Sequence, residues 1–182
     1  LNLLVEMDYF PEDFEKAFLK CGLKNGDSIF LTTSLGMLGK PKMKKKITYN
    51  NIAKILISSI VKIIGKKGNI FVPTYSYSFG KSYGRKIAIY SVKNTKSTIG
   101  DFANFFLKQK GRVRSLDPMV SVSGIGVDCK NILQKVSYTS YGKNCVFERL
   151  LRIKNLKCCT VGLGYNWIPF IHYLDWLNKV PF

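Results

Sequence analysis

A chain of 182 residues with 46% hydrophobic and 13% aromatic residues is long enough to bury one core and too apolar to stay disordered. Its 29 Lys and Arg against 11 Asp and Glu give a net charge of +18, which attracts polyanions and phosphate-bearing small molecules and repels polycations. No apolar stretch approaches the roughly 20 residues of a bilayer span, and the first residues lack a basic segment and a cleavage site, so neither membrane insertion nor secretion is expected.

Leu1 stands where an initiator Met would, so the natural start is expected upstream. Residues 13–23 carry Phe14, Ala17, Phe18 and Cys21 at helical spacing and stop at Gly22. A Gly-Asp turn then leads into a short strand over 28–31 and the polar loop TTSLG (32–36). The basic stretch 40–50 reads as an exposed loop. A helix follows over 52–64, where Lys54 and Lys62 interrupt the apolar run and Gly65 ends it. Residues 68–79 form a second strand that Pro73 breaks where the hydroxyl side chains of PTYSYS begin.

A third helix is predicted over 97–110, with Phe102, Phe105, Phe106 and Leu107 as its apolar face. Residues 112–122 are extended, 129–136 form a short helix, and 141–151 open another after Gly142. A strand over 156–163 ends in GLGYN (162–166), and Pro169 suits the first turn of a last helix over 169–177. Strands separated by helices predict an α/β fold: a single domain over 1–182 with a mixed, partly parallel sheet flanked by helices.

In such sheets ligands gather outside the carboxyl ends of the strands. Here TTSLG, PTYSYS and GLGYN would form a mouth of small polar groups and open backbone N–H donors, a setting that favours anions. The five cysteines (Cys21, Cys129, Cys145, Cys158, Cys159) show no paired spacing, and with a single histidine they make no metal site. They read as free thiols of a cytoplasmic protein, with Cys158 and Cys159 packing as small hydrophobes in an apolar strand.

The one histidine, His172, precedes Asp175 by three residues, which puts both on one helix face. A carboxylate there can orient a general base; the same spacing also describes a surface pair of little energetic weight. TTSLG could cradle a phosphate or a pantetheine arm. GLG is no dinucleotide fingerprint, because Trp167 takes the third glycine position. In GRVRSLDP (111–118), Arg112, Arg114 and Ser115 could clasp a phosphate, or form a solvated basic loop.

Taken in order over residues 14–175, these segments resemble the aminoglycoside 3-N-acetyltransferase (antibiotic N-acetyltransferase) family. NGDSIFLTTSLGMLG is similar to its strand, Ser-rich loop and Leu-Gly, and FVPTYSYSF to its Met-Pro-Thr strand end. STIGDFANFFLKQKGRVRSLDPMVSVSGIG follows its Gly-x-Phe helix, Arg-Ser, His-Pro and Ser-Val run. YGKNCVFERL resembles its Phe and Leu stretch, and GLGYNWIPFIHYLDW its Gly-x-Gly and His-x-x-Glu segment.

The resemblance implies transfer of an acetyl group from acetyl-CoA, as co-substrate and without a metal, to an amine of an amino sugar by direct attack on the thioester. It implies His172 as general base steadied by Asp175, with Thr33, Ser34, Leu35, Arg114, Ser115 and Ser121 at the CoA site and Thr74 and Tyr75 facing the acceptor. Four positions depart from the family pattern. Thr32 replaces a histidine, Asp117-Pro118 a His-Pro, Pro169 a threonine, and Asp175 a glutamate. Family members also continue beyond the last helix, so the chain is expected to be C-terminally incomplete, with an exposed sheet edge that favours a homodimer or the missing region. The charge of +18 opposes polycationic antibiotics and predicts a nucleotide-linked or surface-polysaccharide amino sugar as acceptor. Two other readings compete. One is an inactive relative that only binds CoA or a partner. The other is a nucleic-acid binder using the basic run 40–46 with Tyr75, Tyr77, Tyr83 and Tyr90, against which stands the scatter of basic residues over the whole chain.

Overall fold

The computed structural model describes residues 9–39, 41–42, 47–81 and 89–181. Tyr83 and residues 40 and 43–46 of the basic run lie outside them. Among the described residues, six α-helices and five strands follow in the order α1 (Asp13–Lys20), β1 (Ser28–Thr33), α2 (Tyr49–Ile64), β2 (Asn69–Pro73), α3 (Asp101–Phe106), β3 (Val113–Arg114), β4 (Val122–Gly126), α4 (Cys129–Gln134), α5 (Val146–Leu151), β5 (Leu156–Val161) and α6 (Phe170–Leu177).

The strands form one sheet in the order β3-β4-β2-β1-β5. β1 runs parallel to β2 and β5, while β4 is antiparallel to both β2 and β3. This is the expected mixed α/β sheet. Its two faces follow from side-chain alternation along each strand. Ile29 and Leu31 of β1 and Ile70 and Val72 of β2 pack with Phe14, Phe18, Leu56, Ile60 and Phe106 of α1, α2 and α3. Phe30 and Phe71 point to the opposite face, into Leu133 of α4, Phe147 and Leu150 of α5, and Phe170 and Tyr173 of α6. Phe170 meets Phe30 and Phe147 edge-on at 5.0 and 5.2 Å between ring centroids, and so ties the last helix to the sheet centre.

Several boundaries differ from the sequence reading. α2 starts three residues early because Thr48 caps it, its Oγ1 accepting the Asn51 N–H at 3.3 Å. α3 is shorter than 97–110, because Ser97 sends its hydroxyl to the Tyr75 carbonyl and its N–H to Asn104 Oδ1 instead of into a helix. The stretch 112–122 holds the short β3 and, at Val122, the start of β4, which runs on to Gly126. There Gly124 lets α4 approach, since a Cβ would stand 2.7 Å from Cys129 Sγ. α5 begins at Val146 rather than 141, after Asn144 with φ 62°. Pro169 immediately precedes α6 as its cap residue. Cys159 packs against the α1–α2 side of the core, but Cys158 is exposed. β5 is the outer strand, so its apolar sequence does not bury both faces. No described helix is long and apolar enough to cross a membrane.

Candidate active site

The carboxyl ends of the parallel strands β1 and β2 open into a cavity of about 940 Å³. Its wall comes from the loop after β1, the segment after β2, the start of α3, the 119–120 turn, Tyr141 and the start of α6. Residues as far apart in sequence as Thr33 and His172 therefore share one space, as the strand-end argument requires.

The loop after β1 is held by backbone. The Ser34 N–H donates to the Val161 carbonyl at 3.0 Å and the Ser34 carbonyl accepts from the Met37 N–H at 3.0 Å. Gly162, with φ +68°, lies so close that a Cβ there would collide with the Ser34 carbonyl oxygen. TTSLG and GLGYN are thus in direct contact. Leu35 reaches from this loop into the core and is 3% exposed. The hydroxyls of Thr32 and Thr33 are buried at the cavity wall without a hydrogen-bond partner.

His172 lines the same cavity from the first turn of α6, with its side chain 57% exposed. Asp175 Oδ2 stands 3.9 Å from His172 Nδ1, outside hydrogen-bonding range. The ring of Tyr141 lies 5.9 Å from the imidazole on one side and stacks on Phe147 at 5.7 Å on the other. Tyr141 had no signal in the sequence beyond its place before Gly142, although it backs the histidine. Burial pushes its phenol up to about 12, with Tyr77 and Asp117 adding to the shift. Tyr75 also faces the cavity, and burial first, then Tyr141, Tyr77 and Asp117, raise its ionisation well above the usual value.

Thr33, Ser34, Leu35, Tyr75 and His172 come together at this cavity; Thr74, Arg114, Ser115 and Ser121 are not in its lining. Arg114 is 4% exposed, and its guanidinium donates to the Thr95 and Thr74 carbonyls and to Ser121 Oγ and Ser76 Oγ. Four of five donors are thereby spent on the protein, so it is not the open phosphate fork the sequence pattern allowed. Tyr90 covers its remaining face at 5.0 Å. Ser115 Oγ accepts the Val122 N–H at 2.9 Å, and Ser121 Oγ donates to the Thr74 carbonyl at 2.8 Å. Thr74 Oγ1 bonds the Ser121 carbonyl at 3.2 Å and meets Ser123 Oγ at 3.0 Å. Arg112 is engaged likewise, by the Leu107, Val92 and Lys93 carbonyls. Adjacent hydroxyl and basic residues in sequence thus form a buried brace between β2, β3 and β4. The sequence could not reveal this because the acceptors are backbone carbonyls from distant segments.

The cavity is unlike the rest of the molecule in charge. Among the described residues its lining contains no Lys or Arg, and its one acid is Asp101 at the start of α3. No group of three His, Cys, Asp or Glu among the described residues could hold a metal ion.

The sequence model of a protein family described as aminoglycoside 3-N-acetyltransferase matches residues 41–182. The chain belongs to this family. Its fold is that of solved relatives. The YokD protein from Bacillus subtilis superposes with a TM-score of 0.78 at 17% identity, over 96% of this chain and 72% of that one. AAC-IIIb, in a binary structure with CoASH, gives 0.78 at 14% identity over 92% and 65%. A mutant of aminoglycoside acetyltransferase AAC(3)-IVa, in complex with apramycin, gives 0.77 at 14% identity over 97% and 66%. The chain spans just under two thirds of the length of the latter two acetyltransferases. No curated protein matches.

Proposed function

We propose that this member of the aminoglycoside 3-N-acetyltransferase family transfers the acetyl group of acetyl-CoA to a primary amine of an amino sugar, with His172 as general base. The observation that carries the reading is that the loop holding Thr33, Ser34 and Leu35 and the only histidine of the chain line one cavity. Thr33 and Ser34 offer their hydroxyls to the thioester end of CoA, Leu35 anchors their loop in the core, and Tyr75 faces the acceptor. Arg114, Ser115, Ser121 and Thr74 serve the site as the brace that fixes the strand ends.

A sugar amine arrives largely as the ammonium ion and must lose a proton before it can attack. In this mechanism His172 takes that proton, and the free nitrogen adds to the thioester carbonyl. The tetrahedral adduct collapses by breaking the C–S bond. The thiolate takes the second proton from nitrogen, and His172 returns the first to solvent, so ammonium and acetyl-CoA become amide, CoA thiol and one proton. Asp175 steadies the imidazolium through the few ångströms that separate them.

The net charge of +18 supports an acceptor carrying phosphate, such as a nucleotide-linked or surface-polysaccharide amino sugar. Because the cavity lining holds no Lys or Arg, the phosphate end would lie at the mouth and the amine end inside. A second reading, a relative that binds CoA without turnover, is favoured by one observation, the 3.9 Å gap between His172 and Asp175.

Release of CoA thiol from acetyl-CoA with a panel of amino sugars tests the proposal. Amine-dependent release that falls about 100- to 10,000-fold in His172→Ala supports it. Saturable CoA binding with no amine-dependent release would instead select the non-catalytic reading.

A further inference from the structure

The brace between β2, β3 and β4 carries positive charge that its own acceptors do not neutralise. Arg114 gives four N–H groups to carbonyls and hydroxyls, and Arg112 gives three to the Leu107, Val92 and Lys93 carbonyls. These acceptors are uncharged, so they satisfy hydrogen bonds and leave the charges standing. Among the described residues neither guanidinium pairs with a carboxylate. Burial, and then the like charge of Arg112, lower the ionisation of Arg114 below its ordinary value.

Both arginines line a second cavity, of about 390 Å³, at β3, an edge strand of the sheet. Lys93 is in the same wall, fixed beside Arg112 by the hydrogen bond to its carbonyl at 2.9 Å. Among the described residues this wall contains no acid, while Gln109 and Gln134 supply amides and Val113 an apolar surface. Lys108, Lys110 and Lys135, all exposed, adjoin lining residues in the chain. The cavity of His172 is the reverse, with no Lys or Arg and one acid among its described lining residues, and the two walls share no residue.

Three cations gathered in one wall raise the energy of the folded state until an anion offsets them. Arg112 keeps two of its five N–H groups unspent among the described residues, and a guanidinium beside an ammonium suits the oxygens of a phosphate through charge-assisted bonds. The volume lies in the range that takes small organic molecules.

We infer that this cavity is a second binding site, for a small molecule carrying phosphate, held by Arg112 and Lys93 and separate from the cavity of His172. Arg114 adds its charge through the same wall. Because Arg114 also bonds the Thr74 carbonyl and Ser76 Oγ, on either side of Tyr75, an anion bound here bears on the segment that lines the first cavity. The inference stands apart from the acyl-transfer reading, since it uses no residue of that cavity.

The test titrates the full chain with inorganic pyrophosphate by calorimetry, at low and high salt, with CoA absent or saturating. The wild type is expected to bind one pyrophosphate per chain even at high salt, where loose attraction to a surface of net charge +18 is screened. CoA should leave that binding unchanged. Lys93→Gln and Gln134→Glu, at exposed positions of the wall, each make the chain one unit less positive and should weaken binding about 10-fold. Lys66→Gln, exposed and outside the wall, makes the same charge change and should weaken it less than about 2-fold. Melting curves of the three variants are expected to match the wild type. The inference is overturned by the absence of saturable binding at high salt, or by equal losses in Lys66→Gln and the wall variants. Displacement of pyrophosphate by CoA would overturn it too, and would assign the arginines to the phosphates of CoA.

Discussion

Asp175 Oδ2 lies 3.9 Å from Nδ1 of His172, one turn further along α6 and just beyond hydrogen-bonding distance. A carboxylate one methylene longer would close a gap of this size from the same backbone position, and a bonded ring is better oriented to take a proton. Asp175→Glu is therefore expected to raise kcat about 3- to 10-fold, and Asp175→Ala to lower it by less than about 10-fold. Thiol release at saturating acetyl-CoA measures both. A fall of about 100-fold in Asp175→Ala would mean instead that the two side chains act as a bonded pair during the reaction.

Glu148 ties the turn before α5 to that helix. Its carboxylate accepts the Asn144 N–H and pairs with Arg152 at 2.7 Å, and these contacts, the backbone one first, hold its ionisation below the ordinary carboxylate range. A folded-state value below the unfolded one means a contribution to stability that is present above the unfolded value and lost as pH falls through the folded one. Melting temperature should accordingly drop on acidification below about pH 4.5, and Glu148→Gln should flatten part of that drop. An unchanged acid limb in Glu148→Gln would show that the Asn144 turn, with its positive φ of 62°, is held by other means.

Much of this arrangement was legible in the sequence, and the parts that were not share one cause. Strands such as SIFLTT and NIFVP separated by helices were enough for the mixed, partly parallel sheet, and their near-continuous apolar runs are what burial on both faces of central strands requires. The strand-end rule brought TTSLG and His172 to one cavity. The resemblance put Arg114, Ser115 and Thr74 at the site as well, and the cavity lining leaves them out, because a hydroxyl or guanidinium near a strand end satisfies a distant carbonyl as readily as a ligand, and the carbonyl leaves no mark in the sequence. Tyr141 escaped for the same reason: it matters through the rings of Phe147 and His172, which it meets only in the fold. The lysines that dominate the composition contribute nothing to the described cavity wall, so net charge speaks for the surface and not for the cavity.

Gly162 is where the two loops of the candidate site meet. Its φ of +68° and its approach to the Ser34 carbonyl both demand glycine. Gly162→Ala should cost about 1–3 kcal/mol and push TTSLG out of position, so CoA affinity should fall along with stability. Gly36, which has open space around its Cα, is the control: alanine there should leave the fold unchanged. Chemical denaturation and CoA titration of the two variants make the comparison, and equal behaviour would disprove the role given to the loop contact.

Arg114 separates a structural arginine from a ligand-binding one. Removing it would take one hydrogen bond each from the Thr74 and Thr95 carbonyls and the hydroxyls of Ser76 and Ser121 in a buried space, at a cost of about 3 kcal/mol or more. Arg114→Lys should recover little, because one ammonium with three donors cannot span acceptors arranged around a planar fork. Both variants are thus expected to melt well below the wild type, while whatever fraction remains folded binds CoA with unchanged affinity. Arg114→Met that melts normally but no longer binds CoA would reverse the assignment, and would mean that the guanidinium leaves its carbonyls for the phosphates when CoA arrives.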